Sequence, residues 1–430
     1  MSTPPSQPSP PASKRPTLPS AVGFALALAL VWLGGQFVRQ GVSDELLADR
    51  PELAVLWLGE SPAALSQLAR ARLAHGDAAN AARLAARALR RSPLGGPALA
   101  TYGLAMDRLG QPRIADQAVT LAGARGWRDL PSQIWLMRRD LLAARFAGGF
   151  AHADAVLRRD PNPPPALFAI LTAAARDPGA VAPLADRLAL NPTWRPAFFA
   201  FLADQARTPP TDMIAALLTR LASGPTPPTD AEIAPYLRVL VTQQRFAEAD
   251  AAWRRFTPAA ASAGDVYDGD FAWPPGSTPF DWSLTSGVGW TASIAPSPDG
   301  ARGNALNVDY DGVSPPQRLR QLLVLSPGAY RLSGRFEDEQ GSGAALFGWT
   351  LACVGADQLL ATAPSPSGPA GVWRTFSATV IVPPDRCPAQ WLALKSQPAN
   401  ERTDVSVWYD ELVISPIQGV LRTGADSRKN

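Results

Sequence analysis

Histidine and cysteine are almost absent from this chain: 430 residues hold two of each, His75 and His152, Cys353 and Cys387. Two cysteines exclude a disulfide-dense framework and a multi-thiolate metal site, and leave room for one disulfide. Charge is scarce too. Charged residues make up 18% and the net charge is +3, too small to argue for nucleic acid or an acidic substrate. No HExxH, no Gly-rich phosphate loop followed by Lys-Ser/Thr and no GxSxG occurs. Zinc hydrolysis, nucleotide chemistry and serine-hydrolase chemistry therefore lack their parts. Glycoside hydrolysis needs two carboxylates facing one cleft. Glu337, Asp338 and Glu339 form a run, but adjacent strand residues point to opposite faces, and a solvated loop accounts for them. The chain reads as a non-enzyme that requires no cofactor.

What is present begins with one apolar run, AVGFALALALVWLGGQFV, residues 21–38, which is 18 residues long. That is close to the roughly 20 residues with which an α-helix crosses a bilayer. Lys14 and Arg15 precede it, while Asp44, Glu45 and Asp49 follow soon after Arg39. Basic residues favour the cytoplasmic side, so the N-terminus is expected inside and the bulk outside. A cleaved signal peptide is the rival reading. Its core is usually shorter and ends in small residues, whereas this run closes with Trp32, Gln36 and Phe37. A retained single-pass anchor is expected. Residues 1–20 are rich in Pro and Ser, cannot bury apolar surface, and are expected to form a disordered cytoplasmic tail.

From about Ser61 the sequence turns Ala-, Leu- and Arg-rich, and it repeats. Gly76 and Gly110 lie 34 residues apart, as do Ala81 and Ala115, and Ala88 and Ala122. Ala81, Leu84, Ala85, Ala88 and Leu89 follow helical spacing and form one apolar stripe. The segment PAALSQLARARLAHGDAANAARLAARALRRSP resembles the tetratricopeptide repeat family, whose period is 34. On that resemblance Leu68 is the large apolar position of the first helix, Gly76 makes the turn, and Pro93 closes the unit. Ala81 and Ala88 are the small residues where paired helices touch. The second copy keeps Gly103, Gly110, Ala115 and Ala122. Later units are degenerate, and a last pair regains the pattern with Phe246, Ala249 and Trp253. Five or six helix pairs are expected across 44–257, stacked as an α-solenoid. The family implies a surface for a protein partner; a spacer that merely projects the C-terminal domain is the alternative.

After a linker at 258–267 the period falls to two. Tyr330, Leu332, Gly334 and Phe336 alternate with Arg331, Ser333, Arg335 and Glu337, and Leu306, Val308 and Tyr310 alternate with Asn307 and Asp309. Such alternation buries one face of a sheet. Short strands split by Gly/Pro turns predict an antiparallel β-sandwich, a jelly roll, over 268–416, before a tail at 417–430. DGDF at 268–271, PFDW at 279–282, GNALNVDY, LLVLSPGAYRLSGRF, WRTFSATVIVP and VSVWYDELVIS resemble carbohydrate-binding modules of the galactose-binding-like class, in their expected order.

Three sets of residues follow from this second resemblance and from the domain's composition. Sugar modules stack aromatic rings on pyranose faces. Trp273, Trp290 and Tyr310 sit near turns and are the candidates for an exposed platform, while Trp282 and Trp373 are read as core. Asp268, Asp270 and Asp410 could hold a structural Ca²⁺, a hard ion that takes several oxygen ligands; a solvated turn is the alternative. Cys353 and Cys387 are expected to pair if the compartment is oxidising, against two buried thiols. Composition suits a bacterium with a GC-rich genome, which would make the outer compartment the periplasm and the membrane the inner one. The expected role is a membrane-anchored scaffold accessory to assembly or export of a cell-surface polysaccharide. A pure protein–protein scaffold with no sugar binding is the alternative.

Overall fold

The computed structural model describes residues 50–58, 61–204, 209–257, 264–300, 303–313, 319–355, 358–397 and 402–417. The tail at 1–20, the apolar run at 21–38 and residues 418–430 lie outside this set. Among the described residues no helix is long and apolar enough to cross a membrane. Helices come first and antiparallel sheets follow. The chain divides into two compact units, 1–140 and 141–430, and each is taken by itself.

In the first unit, α1 (Pro51–Leu58), α2 (Pro62–Ala74), α3 (Ala78–Arg91), α4 (Gly96–Arg108) and α5 (Pro112–Arg125) lead into α6 (Leu130–Leu142), whose last residues belong to the second. Local chemistry sets the starts. Ser61 accepts from the Ala64 N–H and Asp77 from the Asn80 N–H, capping donors that the first turn leaves unpaired. Ala81, Ala88 and Ala115 are fully buried and Ala122 nearly so, as close helix approach through alanine requires. Gly103 lies buried against Val119, and Pro93 occupies the exposed turn after α3. Leu68 departs from its expected role, being only half-buried, while Leu65, Ala69 and Leu73 are buried. Those three, spaced by four, set the inner face of α2.

Gly76 and Gly110 have φ of 85° and 73°, the left-handed region that ends a helix. The Asp77 N–H bonds the Arg72 carbonyl, and the Gln111 N–H bonds that of Met106. A third copy of this turn falls 34 residues on, at Ala144, with φ of 54°. The repeat therefore continues where the glycine signature stops. Ala144→Gly is expected to raise stability by about 0.5–1 kcal/mol, because glycine takes positive φ without strain. Urea unfolding would show it, and a destabilised variant would contradict this reading of the turn.

Among its described residues the second unit holds α7 (Phe146–Leu157), α8 (Pro165–Ala174), α9 (Pro178–Leu188), α10 (Arg195–Ala203), α11 (Thr211–Ala222), α12 (Asp230–Thr242) and α13 (Phe246–Phe256) together with nine strands. These are β1 (Trp290–Pro296), β2 (Asn304–Tyr310), β3 (Arg320–Leu323), β4 (Gly328–Asp338), β5 (Phe347–Cys353), β6 (Leu359–Pro364), β7 (Arg374–Val382), β8 (Gln390–Ser396) and β9 (Val405–Pro416). They form a five-stranded sheet, β1-β2-β9-β4-β7, and a four-stranded sheet, β3-β8-β5-β6. Among the described residues the strand pairs are antiparallel. Between the sheets lies one core that includes Trp282, Phe336, Trp349, Leu392 and Tyr409.

The change of sequence texture near 257 is not where the compact units part. Trp253 of α13 stacks on Phe280 with centroids 4.8 Å apart and meets Tyr267 edge-on at 5.2 Å. The Arg238 guanidinium of α12 donates to the Ser277 carbonyl. The last helix pair is thus packed onto the segment that precedes β1, and residues 264–267 belong to that contact rather than to a free linker. Cys353 and Cys387 form a disulfide with Cα atoms 5.1 Å apart, linking the end of β5 to the loop before β8.

Candidate functional site

The predicted platform does not assemble. Trp290 is 7% exposed and Tyr310 1%, and both belong to the sandwich core. Tyr310 is in phase with Leu306 and Val308 along β2, so its ring must point inward with theirs; its hydroxyl donates to the Gln397 carbonyl. Trp290 starts β1, and the turn at Gly287 folds its ring inward. Trp273 alone is at the surface, 65% exposed. Trp282 is core, as expected, with its indole N–H donating to the Asp268 carbonyl. Trp373 is only half-buried, lying beneath the Arg335 guanidinium at 4.9 Å.

The three acids read as a calcium set are brought near one another without forming a ligand set. Gly269 packs so tightly on the Leu412 backbone that a side chain there would strike its carbonyl, and the Leu412 N–H donates to the Gly269 carbonyl. This contact seats the 268–270 turn beside β9. Asp268 is occupied by the Ala272 and Trp273 N–H groups, Asp410 by the Glu411 N–H, and Asp270 is exposed. Among the described residues no group of three or more His, Cys, Asp or Glu could hold a metal ion. The residues present do not fit a calcium ion.

Burial instead pushes the Asp268 carboxyl up to about 6, against the pull of its two N–H donors and with help from Asp270. Burial likewise raises Asp410 to about 6, with the Glu411 and Asp270 charges adding to it. Both folded values exceed those of the unfolded chain, so between pH 4 and 6 the folded state binds more protons. Stability should therefore fall as pH rises through that window and level off above it. Asp410→Asn, which keeps an acceptor for Glu411, should be more stable than wild type at pH 7 and equal to it near pH 4. Melting curves in chelator-containing buffer would test this, and a difference independent of pH would refute it.

The polar groups that do converge lie on the outer face of the five-stranded sheet. Register aligns Ser293, Asn307, Trp408 and Glu337 in one row across β1, β2, β9 and β4. The next row aligns Asp410, Arg335 and Thr375. Asn307 donates to the Ser406 hydroxyl at 3.1 Å. The Trp408 indole donates to Glu339 Oε1 at 2.7 Å, and the residue is 9% exposed. Arg335 reaches Glu411 at 3.4 Å. Glu337 is 5% exposed, and no donor among the described residues reaches its carboxylate. Burial pushes it above the usual carboxylate range, with the Glu339 and Asp299 charges raising it further and Arg374 and Arg335 opposing.

The loop after β4 is fixed from within. Asp338, fully buried, accepts from the N–H groups of Gln340, Gly341, Gly343 and Ala344. Gln340 in turn accepts from the Ser406 N–H. The run 337–339 is therefore not a solvated loop: Asp338 faces inward and holds the turn, and Glu337 and Glu339 flank Trp408. A face of this kind can fix hydroxyl groups through mixed donors and a buried acceptor. Its rings are largely covered, so it offers little flat surface for stacking.

The chain matches no family model and no curated protein. Among solved structures, one described as "CBM4 structure and function" is similar over 35% of this chain and 99% of its own, with 15% identity and a TM-score of 0.25. The carbohydrate-binding module CBM6cm-2 from Cellvibrio mixtus lichenase 5A, in complex with cellotriose, is similar over 30% and 92%, with 16% identity and 0.20. The APC/C hetero-tetramer Cut9-Hcn1 is similar over 54% of this chain and 44% of its own, with 13% identity and 0.26. At these scores the likenesses carry no argument about function.

Proposed function

We propose that the chain is a non-enzymatic scaffold, anchored in the bacterial inner membrane by residues 21–38, with its bulk in the periplasm. Its repeats take a protein partner and its sandwich takes a polysaccharide. The role is accessory to assembly or export of a cell-surface polysaccharide. One observation carries the sugar reading: Glu337 is buried on the outer sheet face, without a hydrogen-bond donor of its own, in a row with Asn307 and Trp408. Its carboxylate oxygens are not sealed from solvent, and a sugar hydroxyl can take the place of water on an acceptor so placed.

Affinity electrophoresis of the full chain through gels containing polysaccharide from its own cell envelope tests this. Wild type should be retarded. Glu337→Gln should lose most of the retardation without a lower melting temperature, and Trp273→Ala should behave as wild type. Loss in Trp273→Ala alone would move the site to the exposed loop. The second reading, a protein scaffold that binds no sugar, draws on the burial of Trp290 and Tyr310. It takes over if wild type runs unretarded in every gel.

A further inference from the structure

The first unit carries charge that the site above does not use. Residues 50–140 contain 13 arginines and seven acids, an excess of six, whereas the whole chain carries +3. The excess is concentrated on α3, which has four arginines and no acid. At about 100° per residue, Arg83, Arg87, Arg90 and Arg91 fall within roughly a third of the helix circumference. This is the side away from buried Ala81, Ala85 and Ala88. Arg83, Arg90 and Arg91 are exposed.

The 34-residue period sets α5 in the position of α3 one repeat later, and Leu89 and Ala122 meet in one core cluster over α4. Arg125 then corresponds to Arg91, and Leu121 to Arg87. The outward side of α5 and the turn after it add Ile114, Leu121 and Trp127, exposed by 40%, 42% and 55%. Arginines beside an exposed Trp, Ile and Leu are the residue types that settle at a membrane surface, the cations on phosphates and the apolar side chains among headgroups.

Chain length supplies the occupant. Arg50 follows Val38 by 12 residues, which even fully extended span only about 40 Å. Whatever path the chain takes, an anchor at 21–38 would keep this unit beside the bilayer. We propose that the outward faces of α3 and α5 dock on the anionic headgroups of the membrane from which the chain emerges. The proposal rests on the anchored reading above.

The full chain reconstituted into vesicles tests it, with a fluorophore on Gln117→Cys in α5 or, as control, on Thr379→Cys in β7. Both positions are exposed. Lipid-borne quencher should quench position 117 in phosphatidylcholine vesicles containing phosphatidylglycerol, and a soluble quencher should quench 117 and 379 alike without vesicles. Quenching should weaken in phosphatidylcholine alone and at high salt. Each arginine at an anionic surface is worth about fivefold in docking. Arg83→Glu/Arg87→Glu/Arg90→Glu should therefore cut the docked fraction on the order of a hundredfold. The salt dependence of wild type stands independently of how that variant folds.

Retention of the chain after alkaline carbonate, with no quenching at 117 in any vesicle, would overturn docking and leave the anchor standing. Extraction by carbonate would overturn the anchor instead. Binding to a soluble acidic polymer without vesicle quenching would give the surface to another polyanion and refute the membrane assignment.

Discussion

Asp338→Ala is expected to destabilise the sandwich by about 3–5 kcal/mol, through loss of charge-assisted bonds to four backbone N–H groups. The carboxylate is fully buried, with one oxygen serving Gln340 and Gly341 and the other Gly343 and Ala344. Asp338→Asn keeps one acceptor oxygen and should lose about half as much. The effect reaches the outer face as well, because the same loop carries Glu339 to Trp408 and Gln340 to Ser406. Urea unfolding followed by tryptophan fluorescence measures the loss. An alanine variant within 1 kcal/mol of wild type, on the scale expected for one neutral hydrogen bond, would show that the loop is held by something else.

Glu232→Ala should be of similar size, about 3–5 kcal/mol, because it strands a buried cation. The Arg195 and Glu232 side chains are 1% and 2% exposed and 2.8 Å apart. Arg195 also donates to the carbonyls of Leu188, Thr226 and Pro227, so it ties α10 to the segment between α11 and α12. Glu232 in addition accepts from the Thr229 N–H, closing a capping box at the start of α12. Removing the acid therefore frees a helix end as well as a charge. Glu232→Gln, which can still accept from both partners, should cost clearly less. Equal losses in the two variants would argue against the charge as the cause.

The order of elements was legible because period is a physical signal. Alternation in 304–310 and 328–338 reads as β2 and β4, and 34-residue spacing reads as the first two helix pairs. The third turn of that series carries no sequence mark because Ala144 replaces the glycine, and only its positive φ shows it. The middle helices rest on contacts no repeat signature announces, such as Trp194 donating its indole N–H to buried Asp154.

The site was less legible than the fold, for a specific reason. Turn-like surroundings suggest exposure for Trp290 and Tyr310, although the alternation that defines β2 turns Tyr310 inward with Leu306 and Val308. The same parity places Trp408 outward, out of phase with Val405, Val407 and Tyr409, and Glu337 outward, out of phase with Phe336. Strand phase held the signal; aromatic identity near a turn did not. How β2, β9 and β4 align Asn307, Trp408 and Glu337 in one row is a matter of register between residues as far apart in sequence as 307 and 408. Nothing local in the sequence records it.

Hydrogen exchange of the full chain with and without its own envelope polysaccharide tests the central claim most directly. Sugar on the outer face of the five-stranded sheet should slow exchange in 335–340 and 405–411, and leave 268–276 unchanged. Protection confined to the loop around Trp273, or none at saturating polysaccharide, would contradict the account.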